Sequence, residues 1–389
     1  MVATTFPRWA GDARPRFVYD LARYLVRAGV EVVVLAPHHE GAKFSEEMDG
    51  VKVVRHPYFF PFKYQDLCWG GGIRERLRHS LLARIQLPLL AGSQRLFMFW
   101  LMLREKPDLI HAHWILPQGL NAWVVGLLFG KRYVVSVHAG DVFPLKSRVL
   151  KRVSSFVLSH AASVTVNSRA TDDEVRVLCG HVGSELIPMG VDVEKFKPGS
   201  GRRDKTVLYV GRLAEKKGVE YLVKAFPAVK EAHPDAKLVI VGEGDELENL
   251  KNLAESIGFK KSMSFEGSVN HDRLRDYYQR GSVLVLPAVY DSEGDTEGLG
   301  VVLLEALASA MPVVASNIGG ITDIVEHEVN GLLVEPGDVK GLGEAVNRLL
   351  DDEGLRERLA SRGREMVVER FGWENIAKEF KRAYGEVLG

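Results

Sequence analysis

Phe17-Val-Tyr-Asp-Leu-Ala-Arg-Tyr-Leu-Val-Arg27, a glycine at 29, then Val30-Glu-Val-Val-Val-Leu-Ala36 is the stretch that decides the fold class. Phe17, Leu21 and Leu25, with Val18 and Ala22, recur at helical spacing, and Gly29 stands where a left-handed residue commonly ends a helix. The run that follows is apolar at nearly every position. Such a strand is covered on both faces, the mark of a parallel sheet flanked by helices. The chain therefore opens as a β-α-β unit whose first strand is Met1-Val-Ala-Thr-Thr5. That strand is short for its role, so either it is brief or the native chain starts upstream of Met1.

Working outward, the alternation continues. Val51–Arg55 reads as strand, about 73–104 as one long helical region, and Asp108–His113 as strand. A helix near Gly119–Phe129, the strand Tyr133–His138, a helix at about 147–160 and the strand Ser163–Asn167 complete a first doubly wound domain over residues 1–188. Pro188 to Gly201 is rich in Pro and Gly and has no periodicity, which is linker composition at 189–201. The pattern then restarts: strands at Thr206–Gly211, Lys237–Val241, Met263–Glu266, Val283–Pro287 and Pro312–Ala315, with helices at Gly218–Ala232, Glu246–Ile257 and Gly300–Ser309. A second domain over 202–371 follows, and the C-terminal helix at about 372–389 is expected to pack back on the first. The fold class is α/β, two Rossmann-like doubly wound domains, whose interdomain cleft is the default ligand site.

At 389 residues two domains suit the length, and 46% hydrophobic with 26% charged residues excludes disordered and fibrous classes. Net charge is zero, which argues against nucleic acid as a partner. The balance is uneven, however. Residues 1–197 hold 26 Lys and Arg against 18 Asp and Glu, and the remainder 25 against 33, so a basic half precedes an acidic one. Cys68 and Cys179 are the only cysteines, which points to reduced thiols in a cytoplasmic protein and to no metal site. Leu96–Leu103 and 122–130 are apolar runs of core-helix length, short of a membrane span.

Three glycine-rich strand ends carry the chemistry. In Glu297-Gly-Leu-Gly-Val-Val-Leu-Leu-Glu305 the glycines lie at a strand-to-helix turn, where backbone N–H groups and the helix dipole favour an anion such as a diphosphate. Glu297 then sits in the turn and Glu305 two turns into the helix, both able to accept hydrogen bonds from sugar hydroxyls. Taken alone, the pair equally fits a capping acid and a solvated or buried one. Val210-Gly-Arg-Leu-Ala-Glu-Lys-Lys-Gly218 adds Arg212 and Lys217, which can converge on a diphosphate or can be plain surface charges. Val241-Gly-Glu-Gly-Asp245 is a further turn, with Gly242 at its start. In the first half, Val137-His-Ala-Gly-Asp141 puts His138 at a strand end with an acid three residues on. His111-Ala-His113-Trp114 does so one strand earlier, although His111 reads better as a buried structural histidine.

Together these residues resemble the large family of nucleotide-sugar glycosyltransferases of two-domain GT-B architecture called glycosyl transferases group 1, or family 4, whose members are retaining. The resemblance covers the whole chain and is sharpest from Pro287 through Ala315, at Gly319-Gly-Ile and at Asn330-Gly-Leu-Leu-Val-Glu-Pro-Gly337. It implies that Arg212 and Lys217 bind the donor diphosphate, that Glu297 holds the donor sugar, and that Glu305 holds the ribose. It places Gly298, Leu299, Gly300 and Val301 against sugar and phosphate, Gly211 and Gly242 at the donor, and Ser268 and Val269 near the base. His138 and Asp141 would line the sugar and acceptor side, and Gly11 and Asp12 a loop beside the donor phosphate. The chain departs from the pattern at Ala310, where a glycine is usual, and in lacking a double glycine at Gly11-Asp12.

The implied reaction is transfer of a hexose from a UDP-, GDP- or ADP-sugar to a saccharide, lipid-linked or glycolipid acceptor, with no cofactor and no metal. The rival readings are a nucleotide-sugar epimerase or inverting enzyme, told apart by the product's anomeric configuration, and a non-catalytic nucleotide-sugar binding protein. Gly294–Gly298, Arg55-His-Pro-Tyr58 and Trp69-Gly-Gly-Gly-Ile73 look like the branch that assembles polysaccharide and glycolipid. Aromatics at His56–Tyr64, arginines 74, 76, 78 and 84, and the run Leu96–Leu103 suit a phosphorylated lipid carrier at an anionic membrane surface, peripheral on its cytoplasmic face. A core helix with a solvated charged face fits the same residues.

Overall fold

A computed structural model describes residues 1–12, 16–65, 67–68, 73–180, 182–199 and 204–389, with side chains omitted at 74, 75 and 79. Trp69–Gly72 and the end of the linker at 200–201, as well as the start of the second domain at 202–203, lie outside these residues. The chain divides into two compact units: Met1–Asn167 with Thr171–Ile187 and Ile376–Gly389, and Ser168–Ala170 with Pro188–Asn375.

Unit 1 runs α1 (Phe17–Arg27), β1 (Val33–Pro37), β2 (Ser45–Met48), β3 (Val51–His56), α2 (Ile73–His79), α3 (Leu81–Arg104), β4 (Leu109–His113), α4 (Leu120–Phe129), β5 (Arg132–Val137), α5 (Ala139–Val142), α6 (Arg148–Ser159), β6 (Ser163–Val166), α7 (Arg169–Leu178) and β7 (Glu185–Leu186). Its strands form two runs, β1-β3-β2 and β4-β5-β6-β7. Val2 joins them by pairing with Leu35 on one side and Ala112 on the other. The opening residues thus make two single bridges, both at Val2, rather than a full strand.

Two departures have local causes. The expected helix over 73–104 breaks at Ser80, whose hydroxyl caps α3 by accepting the Ala83 N–H at 3.2 Å. The polar Ser45-Glu-Glu-Met48 pairs antiparallel to β3 as an edge strand, a segment that lacks any apolar pattern.

Unit 2 runs β8 (Thr206–Val210), α8 (Val219–Ala232), β9 (Lys237–Val241), α9 (Leu247–Ser256), β10 (Met263–Gly267), α10 (His271–Arg280), β11 (Val283–Leu286), α11 (Val301–Ala308), β12 (Val313–Ser316), β13 (Leu332–Val334), α12 (Val339–Asp351), α13 (Glu353–Arg370) and α14 (Trp373–Leu388), of which the last residues belong to unit 1. All six strands are parallel, in the order β10-β9-β8-β11-β12-β13. Val283, Leu284, Val285 and Leu286 are each wholly buried, which is why β11 reads as an unbroken apolar run. Ala310, after α11, has φ +49°, a conformation in which glycine is unstrained. No helix among the described residues is long and apolar enough to cross a membrane.

Candidate active site

In unit 2 the order of strands reverses between β8 and β11, so the loops after these neighbours leave toward opposite sides. Open α/β sheets bind ligands outside the C-terminal strand ends at such a switch point. The loop after β8 carries Gly211, Arg212 and a tight turn at Glu215–Lys217; the loop after β11 carries Asp295 to Gly300 and runs into α11.

Backbone contacts lock the two loops together. The Val289 N–H donates to the Lys216 carbonyl at 2.9 Å. Gly218 has φ +61°, and a Cβ there would stand 2.0 Å from the Pro287 carbonyl oxygen, so only glycine lets the loops approach this closely. On the other flank, a Cβ on Gly320 would stand 2.0 Å from the Gly298 carbonyl oxygen, and the Gly320 N–H donates to the Glu297 carbonyl at 3.2 Å. The remaining strand ends are stitched alongside: Gly211 N–H donates to Val241 at 3.0 Å and Gly242 N–H to Gly267 at 2.8 Å. Ser268, just after β10, gives its N–H to the Glu243 carboxylate at 3.2 Å, and Val269 packs partly buried on the core.

Each expected cation meets a carboxylate. Lys217 pairs with Glu297, Arg212 Nη2 lies 3.0 Å from Asp245, and Lys216 Nζ lies 3.0 Å from Asp295 and 3.2 Å from the Thr296 carbonyl. Glu297 is buried and also accepts its neighbour's Gly298 N–H at 3.1 Å. Burial pushes its carboxyl up, but Lys217, Lys216 and the Leu299 N–H outweigh this and hold it below the ordinary carboxylate range. Tyr209, buried under the site, donates to the Arg212 carbonyl at 2.8 Å and fixes where that arginine leaves the strand.

Gly300 at φ +83° starts α11 and no side chain caps it; the Leu303 N–H donates to the Gly300 carbonyl at 2.8 Å, which leaves the Val301 and Val302 N–H groups at the uncapped start. Leu299 beside it is buried. Glu305 is the fifth residue of α11, little more than one turn in rather than two, since a turn takes about 3.6 residues. It is buried, with Oε2 accepting the Tyr278 hydroxyl at 2.7 Å and Oε1 3.0 Å from His271 Nε2. Lys195 Nζ lies 2.7 Å from His271 Nδ1, so Nδ1 accepts and Nε2 carries the proton given to Glu305.

In unit 1, His138 ends β5 and caps α5. Its N–H donates to Asp141 Oδ2 at 2.9 Å, and the Ile115 N–H donates to Oδ1 at 3.1 Å. Asp141 therefore turns back on the backbone and positions the His138 turn instead of presenting its carboxylate outward. Burial pushes its carboxyl up to about 7 against these two bonds, and pushes His138 down to about 3. His113 Nδ1 lies 3.4 Å from His138 Nε2, with the rings stacked, and His138 Nδ1 has no partner. His111 is a satisfied buried histidine, held by Tyr384 and Ser136 at 2.7 Å each. Gly11 is exposed at φ +81°, while Asp12 is buried and clasped by Arg8 Nη2 at 2.8 Å.

Sequence patterning gave no role to Lys216, Asp245, Asp295, His271 and Tyr278, while His113 was picked out at its strand end. Asp295 lies inside the Gly294–Gly298 segment and Lys216 beside Lys217, so adjacency was a usable signal there. His271 and Tyr278 reach Glu305 from a helix with no apolar stripe, and nothing local announces them.

The family profile described as glycosyl transferases group 1 matches residues 191–366, and that of glycosyltransferase family 4 matches residues 15–195. An uncharacterized glycosyltransferase of Methanocaldococcus jannaschii is 30% identical over 94% of this chain and 92% of its own. This chain belongs to the glycosyl transferases group 1 family. A glycogen synthase of Mycobacterium tuberculosis is likewise 30% identical, over 99% of this chain and 93% of its own. A GDP-mannose-dependent phosphatidylinositol monomannoside mannosyltransferase from that organism is 32% identical over 67% of this chain and 71% of its own. Among solved structures, sucrose-phosphate synthase from Thermosynechococcus elongatus superposes with a TM-score of 0.79 at 25% identity, covering 95% of this chain and 92% of its own. Anabaena HepE, solved with UDP and glucose, superposes at 0.73 over 99% of this chain and 98% of its own, at 18% identity. The family member described here is thus a glycosyltransferase of GT-B type, built from two Rossmann-like domains.

Proposed function

We propose that this glycosyltransferase moves a hexosyl group from a nucleotide-diphosphate sugar to a hydroxyl of a saccharide, lipid-linked or glycolipid acceptor, with retention of anomeric configuration. The observation that carries the reading is the meeting of Lys217 and Glu297 at the β8/β11 switch point, beside Arg212 and the uncapped start of α11.

A departing nucleoside diphosphate gains negative charge as the bond from sugar C1 to phosphate oxygen breaks. Arg212, Lys217 and the N–H groups at the start of α11 supply the stabilising positive field, the role a metal would otherwise fill. Glu297, kept ionised by two lysines, accepts hydrogen bonds from donor sugar hydroxyls. Glu305 has lone pairs beyond those used by Tyr278 and His271, and these take the ribose hydroxyls. The acceptor hydroxyl attacks C1 on the face the phosphate leaves. Its proton passes to the departing phosphate oxygen, so atoms and charge balance without a protein base. His138 orients the sugar, on the family resemblance, and Asp141 holds the turn that carries it.

The test is turnover of a panel of UDP-, GDP- and ADP-sugars by the wild type, by Arg212→Ala and by Lys217→Ala. One donor should turn over, and each variant should lose about 10²-fold or more in kcat/KM, the usual cost of removing one transition-state donor. Variants that keep the wild-type rate would sink the assignment, and an inverted product anomer would replace it with an inverting mechanism.

A further inference from the structure

Helix α3 carries an apolar face on its outward side, where a surface helix of a soluble domain is polar. Its 24 residues span about 36 Å. The side facing the core includes Gln86 and Gln94, both buried. Gln86 Nε2 donates to the Tyr64 carbonyl at 2.7 Å, and Gln94 accepts from Asn121 at 2.9 Å. The opposite side is Leu81, Ile85, Pro88, Leu89, Gly92, Leu96, Phe99, Trp100 and Leu103, all exposed, with Leu81 at 75%, Ile85 at 58% and Leu96 at 72%. The only charged residues exposed on α3 are Arg84, Arg95 and Arg104. A helix apolar on its outward face is either covered or immersed in an apolar phase.

The surface does not end with α3. The ring of Phe99 lies 4.9 Å from that of Phe129 at the end of α4, where Leu127 and Leu128 are exposed. Trp123 of α4 meets Phe156 of α6 at 4.8 Å, and α6 exposes Val149 and Leu150 between Arg148, Lys151 and Arg152. Between Arg76 and Thr171 the chain carries thirteen Lys and Arg against three carboxylates, Glu105, Asp108 and Asp141. Of these, Glu105 pairs with Lys52 at 2.5 Å and Asp141 is turned onto the backbone. Arg104 lies 5.0 Å over the Trp100 ring, an aromatic and a cation side by side as at a membrane interface.

We propose that the outward face of α3, continued by α4 and α6, docks this protein on an anionic lipid bilayer. The apolar stripe enters the boundary between headgroups and acyl chains while the flanking arginines and lysines meet lipid phosphates. The charge decides against a second copy of the chain as occupant, since a self-paired face would set thirteen cations against thirteen with only three carboxylates on each side to offset them. The proposal stands apart from the reaction, because no residue of the stripe lies at the β8/β11 switch point.

Sedimentation with phosphatidylcholine vesicles, with and without about one third phosphatidylglycerol, tests it. The wild type should pellet with the anionic vesicles, less so as salt is raised. Ile85→Glu combined with Leu96→Glu should weaken the partition at least tenfold, while thermal melting and turnover of the donor remain at wild-type values. Should that variant fail to fold, quenching of tryptophan by brominated lipid in the wild type, reduced in Trp100→Phe, reads the same contact. Wild-type protein that ignores anionic vesicles at low salt overturns the proposal. So does a solution dimer that the same two substitutions dissociate, which would make this face an interface between copies.

Discussion

Gly320→Ala puts the assignment of the Glu297–Gly300 backbone to its hardest test. An added Cβ would lie 2.0 Å from the Gly298 carbonyl oxygen and 2.8 Å from Ser168 Cβ, whereas real Cβ atoms essentially never come within 3.0 Å. The Gly319-Gly320 turn and the Gly298 peptide must therefore separate by about 1 Å. Gly320 carries no left-handed φ, so the substitution displaces the loop without adding backbone strain of its own. A displacement of about 1 Å at a positioning element costs roughly 10²-fold in rate, or about 2.7 kcal/mol of transition-state stabilisation. Overpacking should cost about 1–3 kcal/mol of stability as well. The assay is initial-rate release of nucleotide diphosphate, with urea unfolding run in parallel. Gly258→Ala is the control: it has φ +81° and nothing within 4 Å of the new Cβ. It should lose about 1–2 kcal/mol of stability with kcat/KM intact. A folded Gly320→Ala enzyme within twofold of wild type in kcat/KM would refute the view that this backbone holds the donor.

Lys217→Met should invert a pH dependence. In the wild type the depressed Glu297 carboxyl contributes stability that is present above the ordinary carboxylate range and lost as pH falls through its lowered value. Without the lysine, burial prevails, the carboxyl rises, and stability should instead decline with rising pH through the carboxylate range, read by urea midpoints at several pH values. Glu305→Gln leaves the Tyr278 hydroxyl and the protonated His271 Nε2 competing for one carbonyl, and should cost about 1–3 kcal/mol in the same assay and raise the donor KM. Ala310→Gly relieves a left-handed alanine at φ +49° and should stabilise the protein by about 1 kcal/mol after the entropy of the added glycine, seen as a higher Tm. Asp245→Asn releases Arg212 from an exposed pair worth at most about 1 kcal/mol, so the donor KM should fall by up to about fivefold. An unchanged KM would mean that Arg212 does not reach the donor.

What the sequence disclosed follows from what is locally encoded. The apolar runs at Val33–Pro37, Val207–Val210 and Val283–Leu286 announce parallel strands because both faces of each are covered. The glycines at 298 and 300 announce the strand-to-helix turn, and Gly300 takes the left-handed φ of +83° that starts α11. By contrast α10, His271-Asp-Arg-Leu-Arg-Asp-Tyr-Tyr-Gln-Arg280, buries only Tyr278 and shows no stripe, so neither the helix nor its grip on Glu305 is visible in the pattern. The helix start at Gly300 was legible, but the depth of Glu305 was overstated: as the fifth residue of α11 it lies little more than one turn in. The partners of the cations, Asp245 and Asp295, lie 33 and 79 residues away from Arg212 and Lys216, and pairings at such range are set by the sheet order alone. The outward face of α3 was only partly legible: Leu96–Leu103 is apolar all round, and the packing of Gln86, Gln94, Met98, Leu101 and Met102 inward shows which side is left over.

On the proposed donor assignment, the three cation–carboxylate pairs set the terms on which a donor can bind. Arg212, Lys216 and Lys217 are matched one for one by Asp245, Asp295 and Glu297, so the ligand-free site is close to neutral. A diphosphate must therefore exchange partners with carboxylates rather than fill an empty positive pocket. The exchange is unequal. Arg212 with Asp245 is solvent-exposed and screened, and opens at little cost. Lys217 with Glu297 is buried, and pulling the lysine away would strand an ionised carboxylate without its counter-charge, which is costly unless another donor replaces it. Sugar hydroxyls are such donors, and they arrive on the same molecule as the phosphates. A nucleoside diphosphate without its sugar supplies only half of the exchange. If the proposed donor assignment holds, the pairing gives the site a physical reason to prefer an intact nucleotide sugar over its own product, and so to release that product once the sugar has been transferred.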